Sequence, residues 1–209
     1  MDITAHLGPD CYSGVIFLSS TPCHSWDWKA SESLWIDIFP LIVSRHKLDQ
    51  ENAAKALVGG FTHKGTSEET NRAWIETYES QHPFRRVEKP AILTDAAKNT
   101  PVLVLLGKDD KILSWESLGE KYKEEFTSVE VQVWPEVGHL PCFEEPEKTR
   151  DAILEFVERV INVQLSSALP FYEKPEKTRD AILASAERVI NMRLSSALPF
   201  YEEPKAEEG

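Results

Sequence analysis

The segment from residue 102 to residue 143 constrains the fold more than any other part of the chain. It opens with the apolar run Val102–Leu106, which stops at Gly107, and it later contains the alternating run Val129–Val133. Between the two runs, apolar residues recur at helical spacing, at Trp115, Leu118, Tyr122 and Phe126. Strand, helix and strand in this order predict two parallel strands joined by a crossover helix, and therefore an α/β fold.

Each of these predicted strands is followed by polar groups. Asp109 and Asp110 come shortly after the first strand, and His139 comes shortly after the second. The carboxyl ends of parallel strands meet at one edge of a sheet, so we expect an acid–histidine pair there. Such a pair suits general acid–base catalysis. The structural alternative is that Asp110 caps the next helix and that His139 is an ordinary loop histidine.

A further strand and a tryptophan-rich segment precede this unit. Val15–Leu18 is a continuous apolar run and predicts a strand buried on both faces. The tryptophan-rich segment, residues 23–98, predicts helices at about 33–46, 49–57 and 91–97, and one that starts at Thr66 with Glu69 in a capping box. An all-helical insertion between two strands is typical of a lid, so we predict a helical cap over residues 23–98.

The C-terminal part contains a tandem repeat with a period of 29 residues. The stretch from Leu140 to Leu154 recurs in nearly the same order from residue 169 to 183, and a third copy begins at residue 198. His139 is not repeated. In the second copy Phe156 becomes Ser185, so we expect the first copied helix to dock on the sheet and the second to pack loosely. We assign residues 1–22 and 99–162 to the core and 163–209 to this duplicated tail.

Composition narrows the class of partner. The 209 residues are 41% hydrophobic and carry a net charge of −12, which fits a globular domain and argues against nucleic acid and anionic membranes as partners. Four of the histidines are too scattered for a metal site, namely His6, His46, His63 and His82, and we predict neither a metal nor a cofactor. The spacing of Cys11, Cys23 and Cys142 suits neither disulfides nor a metal. Together with the absence of a secretion-signal pattern, this predicts a cytoplasmic protein.

Several of these motifs resemble one known family. Ser13–Ser19, the Gly-x-x-Asp turn that ends at Asp110, and Val137–Pro141 followed by Glu144-x-Pro146-Glu147 resemble the C-terminal half of an α/β-hydrolase with a helical cap. The resemblance implies a partial sheet of about three parallel strands. It also implies that Asp110 is the catalytic acid, with Asp109 as its rival, and that His139 is the catalytic base.

The resemblance leaves one part of the family pattern without a counterpart. The nucleophile precedes the acid in this family, yet the chain has no Gly-x-Ser-x-Gly elbow. The family's first five strands, its nucleophile and its oxyanion-hole donors are expected upstream of Met1. We therefore expect a truncated hydrolase with little activity alone.

Two functions follow as hypotheses. An intact relative would hydrolyse a small, fairly apolar ester through an acyl-enzyme, whereas an aspartate nucleophile would suit epoxides or haloalkanes. The alternative is a non-catalytic interaction protein that uses the cap and the acidic tail. In either case, residues 15–18 would form a strand edge through which copies of the chain could associate.

Overall fold

A computed structural model describes residues 13–20, 40–41, 44, 46–80, 98–168 and 175–197 of the chain. The strands in the described residues are β1 (Val15–Leu18), β2 (Val102–Gly107) and β3 (Val129–Trp134). The helices are α1 (Lys47–Gly60), α2 (Glu68–Ser80), α3 (Trp115–Glu125), α4 (Pro141–Glu144), α5 (Pro146–Ala168) and α6 (Pro175–Ala197). Within these ranges, no helix combines the length and the apolar character that a membrane span requires.

The three strands form a parallel sheet in the order β1-β2-β3, which confirms the predicted α/β class and partial sheet. Val102 lies in register between Val15 of β1 and Val129 of β3. Every residue of β2 is buried, as its continuous apolar sequence predicts. The prediction that β1 is buried on both faces is wrong: only Phe17 is buried, because β1 is an edge strand among the described residues. Association through this edge stays a prediction.

Alternate side chains of β2 enter two cores on opposite faces of the sheet. Val102, Val104 and Leu106 pack with Phe17 and with buried residues of α1 and α3, among them Ala53, Leu57, Leu118 and Tyr122. Leu103 and Leu105 pack with Trp134 and with two side chains of α5, Phe156 and Val160. Helices on both faces of a parallel sheet form a three-layer α/β arrangement. This arrangement fixes the carboxyl ends of β2 and β3, where the candidate acid and histidine emerge.

Helices α1 and α2 lie between β1 and β2 in the chain, in the segment predicted to be a cap. The predicted start of α2 is wrong by one residue, since Ser67 and not Thr66 caps the helix. The Ser67 hydroxyl accepts the Thr70 backbone N–H at 3.1 Å. Adjacent Thr and Ser residues both suit this position, and Thr66 instead donates to Asn71 at 2.6 Å. The helix predicted at 91–97 lies outside the described residues, as does most of that at 33–46.

The two copies of the repeated helix occupy different environments. In α5, Val160 is 8% exposed and faces the sheet, whereas its counterpart Val189 in α6 is 50% exposed. The main contacts of α6 within the described residues are with α5. Carboxylates from both helices line the groove between them, at Asp151, Glu155, Glu158, Asp180 and Glu187. Like charges across this groove weaken the pairing. The division into core, cap and tail stays a prediction.

Candidate active site

Asp110 lies in the turn that follows β2, and its two carboxylate oxygens have separate partners. Oδ1 accepts the backbone N–H groups of Ile112 at 2.8 Å and Leu113 at 3.0 Å. Oδ2 lies 2.9 Å from Nδ1 of His139, and the Asp110 side chain is only 2% exposed. Because a carboxylate only accepts hydrogen bonds, Nδ1 is the donor. Asp110 thus holds the turn that follows β2 and contacts His139 at the same time. It does not cap the next helix, α3, because Ser114 is the N-cap there and its side chain accepts the Ser117 N–H at 3.3 Å.

Asp109, the rival acid, has a different partner. Its Oδ2 accepts the backbone N–H of Glu136 at 2.8 Å, and its own N–H donates to the carbonyl of Val137 at 3.0 Å. Glu136 has a φ of 59°, a conformation that non-glycine residues rarely adopt, in the turn that follows β3. Asp109 therefore stabilises the turn that leads to His139 and does not contact the imidazole in this structure.

His139 lies against an aromatic cluster that the chain assembles from distant segments. The ring of Phe61, just after α1, stacks on the imidazole with centroids 6.1 Å apart and planes inclined by 22°. Trp74 of α2 meets Phe61 edge-on at 5.6 Å and Phe143 of α4 at 5.1 Å. The His139 side chain is 19% exposed, so the imidazole is covered by Phe61 on one face but is not fully buried.

The loop that carries His139 lies in direct backbone contact with the segment after α1. The Leu140 N–H donates to the carbonyl of Phe61 at 3.1 Å. A Cβ on Gly138 would lie 2.7 Å from the nitrogen of His63 and 2.9 Å from the carbonyl carbon of Thr62. Only glycine permits this approach. The residue before His139 is therefore fixed by the packing of two loops.

Comparison with solved structures identifies the fold. An esterase from Rhodococcus sp. ECU1013, RhEst1, superposes with a TM-score of 0.61 at 20% identity, over 76% of this chain and 60% of that chain. A protein from Burkholderia cenocepacia, provisionally assigned as an aryl esterase, superposes with a TM-score of 0.59 at 15% identity, over 77% of this chain and 60% of that chain. The chain has part of the α/β-hydrolase fold. It spans 60% of the length of each of these two proteins. Neither a protein-family model nor a curated protein sequence matches it.

Within this partial α/β-hydrolase fold, Glu144 makes contacts that the sequence did not reveal. Its Oε2 accepts the N–H of Gly138 at 2.6 Å. Its Oε1 accepts the N–H groups of His63 at 2.6 Å and Lys64 at 3.1 Å. Glu144 belongs to the Glu-x-Pro-Glu motif that contributed to the resemblance, but two of its three partners, His63 and Lys64, lie far away in the chain. The contact of Phe61 with His139 was also missed in the sequence, because these two residues are far apart in the chain.

Ser19 is a third residue that the sequence did not single out in this α/β-hydrolase sheet. It follows β1 directly, has a φ of 38° and is 2% exposed. Its hydroxyl has no hydrogen-bond partner among the described residues. The string Ser-Ser-Thr-Pro is typical of an ordinary loop, so no sequence signal pointed to a strained, buried hydroxyl at this end of the sheet.

One ion pair near the site joins the segment after α1 to the end of α4. A hydrogen bond from Lys64 to Glu145 raises the pKa of the Lys64 ammonium group.

Burial raises the pKa of the Cys142 thiol, which lies three residues after His139. In the described part of the chain, no three side chains of His, Cys, Asp or Glu come together in a way that could hold a metal ion.

Proposed function

We propose that Asp110 and His139 are the acid and the base of an ester-hydrolase site. The observation that carries this proposal is the 2.9 Å contact between Asp110 Oδ2 and His139 Nδ1, made by a carboxylate that is 2% exposed. A buried carboxylate in this position fixes the tautomer of the imidazole and stabilises the imidazolium ion. Nε2 of His139 is then the atom that exchanges a proton with the reacting groups.

The reaction divides into two proton-coupled steps. In the first, Nε2 of His139 takes the proton of a nucleophilic hydroxyl as its oxygen bonds to the ester carbonyl carbon, and the leaving alcohol receives that proton as the C–O bond breaks. In the second, Nε2 takes a proton from water, which attacks the acyl-enzyme, and returns it to the departing hydroxyl. Asp110 keeps its hydrogen bond to Nδ1 throughout.

We propose a small, fairly apolar ester as the substrate. Support comes from the aromatic rings of Phe61, Trp74 and Phe143, which form an apolar cluster with one member stacked on His139. Further support comes from the two structurally similar proteins, which are described as esterases. An aspartate nucleophile would instead suit an epoxide or a haloalkane.

We propose that these 209 residues by themselves hydrolyse esters only slowly. The sequence contains no Gly-x-Ser-x-Gly elbow that would present a nucleophile to His139. Loss of one oxyanion-hole donor alone costs roughly 10²–10³ in rate. We therefore propose that efficient turnover requires a nucleophile-bearing segment in addition to the Asp110–His139 pair.

The test co-expresses the chain with the part of RhEst1 that it does not match, and the complex is then purified. Hydrolysis of p-nitrophenyl butyrate is then measured for the complex and for the chain alone. We expect turnover by the complex that His139→Ala abolishes and that Asp110→Asn lowers by roughly 10⁴-fold. Asp109→Asn is the matched control and should retain most of the turnover, because Asp109 does not contact His139 in this structure.

Two outcomes would overturn the proposal. One is turnover that persists at the same rate in His139→Ala. The other is a stable complex that shows no turnover. The second outcome would favour the alternative function, that of a non-catalytic interaction protein.

A further inference from the structure

We propose that Glu144 is a positioning residue for His139, an inference that rests on the proposed function. One carboxylate here accepts three backbone N–H groups, from Gly138 at 2.6 Å, His63 at 2.6 Å and Lys64 at 3.1 Å. Gly138 is the residue immediately before His139. The other two donors, His63 and Lys64, belong to the segment after α1. His63 lies 81 residues before Glu144 in the chain.

Hydrogen bonds to a carboxylate are shorter and stronger than those between neutral groups. The two oxygens of Glu144 divide between the two segments, since Oε2 binds Gly138 and Oε1 binds His63 and Lys64. The carboxylate therefore ties the histidine loop to the segment after α1. Movement of one segment away from the other would break at least one of these bonds.

This tie acts on the imidazole through Phe61. The Phe61 ring stacks on His139, and its carbonyl accepts the N–H of Leu140 at 3.1 Å. Asp110 fixes Nδ1 of the imidazole, and Phe61 covers one face of the ring. If Glu144 no longer held the two segments together, the Phe61 ring and the histidine loop would separate, and the Nδ1 contact with Asp110 would loosen.

The neighbouring residue Glu145 is a matched control. It lies next to Glu144 at the end of α4, but its carboxylate binds the side-chain ammonium of Lys64 at 3.0 Å and is 38% exposed. Neutralisation of either residue changes the net charge by the same amount at nearly the same place. Only Glu144→Gln replaces a carboxylate oxygen that accepts backbone N–H groups with an amide NH2 group, which donates hydrogen bonds.

The experiment measures the His139 ring by NMR in the full chain labelled with ¹⁵N-histidine, with His139→Ala used to assign the signal. We expect hydrogen exchange at Nδ1 to accelerate at least about tenfold in Glu144→Gln, the factor expected for loss of one hydrogen bond to a charged group. Glu145→Gln should leave the exchange rate within about twofold of wild type, as for other exposed ion pairs. Glu144→Asp, which keeps the carboxylate on a shorter side chain, should fall between the two.

Equal exchange rates in Glu144→Gln and Glu145→Gln would overturn the inference. If Glu144→Gln does not fold, Glu144→Asp provides the same comparison against Glu145→Asp. The ring signal requires no turnover, so it tests Glu144 even if the ester-hydrolase proposal fails. If turnover is found in the RhEst1 complex, Glu144→Gln should lower kcat and leave KM nearly unchanged, since Glu144 acts through His139 and not on the substrate.

Discussion

Gly107 and Gly138 meet backbone to backbone where β2 ends. A Cβ on Gly107 would lie 2.0 Å from the carbonyl oxygen of Gly138 and 2.3 Å from that of Val137. No side chain can occupy that space. The contact brings the turn that carries Asp110 against the loop that carries His139, so the absence of a side chain at residue 107 is a condition for the acid–histidine contact.

Gly107→Ala should destabilise the fold and separate Asp110 from His139. A methyl group forced against rigid backbone costs typically about 1–3 kcal/mol or more, because the neighbouring loop has to move. Urea unfolding measures the loss of stability, and NMR of the His139 ring measures the faster exchange at Nδ1. Gly59→Ala is the control, since nothing lies within 4 Å of its added Cβ. In the helix α1 it should stabilise by about 0.5–1 kcal/mol. Equal stability of the two variants would contradict the steric argument.

Phe156 and Ser185 are equivalent positions of the repeat and should differ strongly in their effect on stability. Phe156 is 5% exposed and packs with Leu103, Leu105 and Trp134 on one face of the sheet. Phe156→Ala should lower the free energy of unfolding by about 3–5 kcal/mol. Ser185→Ala, on the exposed surface of α6, should change it by less than about 0.5 kcal/mol. Comparable losses in urea unfolding would contradict the expectation that α5 docks on the sheet more tightly than α6.

The Cys142 thiol should react slowly in the folded protein. Burial raises its pKa, so the reactive thiolate is scarce at neutral pH. In a Cys11→Ser, Cys23→Ser double variant, alkylation of Cys142 by iodoacetamide at pH 7.5 should be roughly tenfold slower in the folded chain than in urea. Mass spectrometry follows the reaction. Equal rates in the two states would show that burial does not protect this thiol.

Glu130 should contribute a small, pH-dependent stability. The Gln132 amide lowers the pKa of this carboxyl by donating a hydrogen bond at 2.6 Å, and the Arg159 guanidinium of α5 adds to that effect. A lowered pKa in the folded state means that the stabilisation is present above the unfolded-state pKa. It is lost as the pH falls through the folded-state pKa.

Glu130→Gln should therefore lower stability at pH 7 by no more than about 1 kcal/mol, since the pair is partly exposed. The difference from wild type should vanish once the pH falls below the folded-state pKa. Urea unfolding at several pH values measures it. Glu120→Gln, which removes the same charge from an exposed position of α3, should show little change at any of these pH values. A Glu130→Gln effect that persists at low pH would assign it to packing instead of charge.

The elements that the sequence predicted well are those with a strong local pattern. The apolar runs at Val102–Leu106 and Val129–Val133 became β2 and β3, and the stripe of Leu118 and Tyr122 became the buried face of α3. Where two neighbouring residues have the same local preference, the sequence could not decide between them. Thr66 and Ser67 are both good helix caps, and only the geometry shows that Ser67 has this role.

By itself, the sequence determined the α/β class, the order of strands and helices, and the two short segments that hold the candidate acid and base. Hydrophobic periodicity and turn residues act over a few neighbouring positions, and they can therefore be recognised from the sequence alone. The tertiary structure decided which carboxylate meets His139, because Asp109 and Asp110 differ only in where the turn directs them. It also decided the contacts of Phe61 and Glu144, since these join segments far apart in the chain through backbone packing that no local pattern encodes.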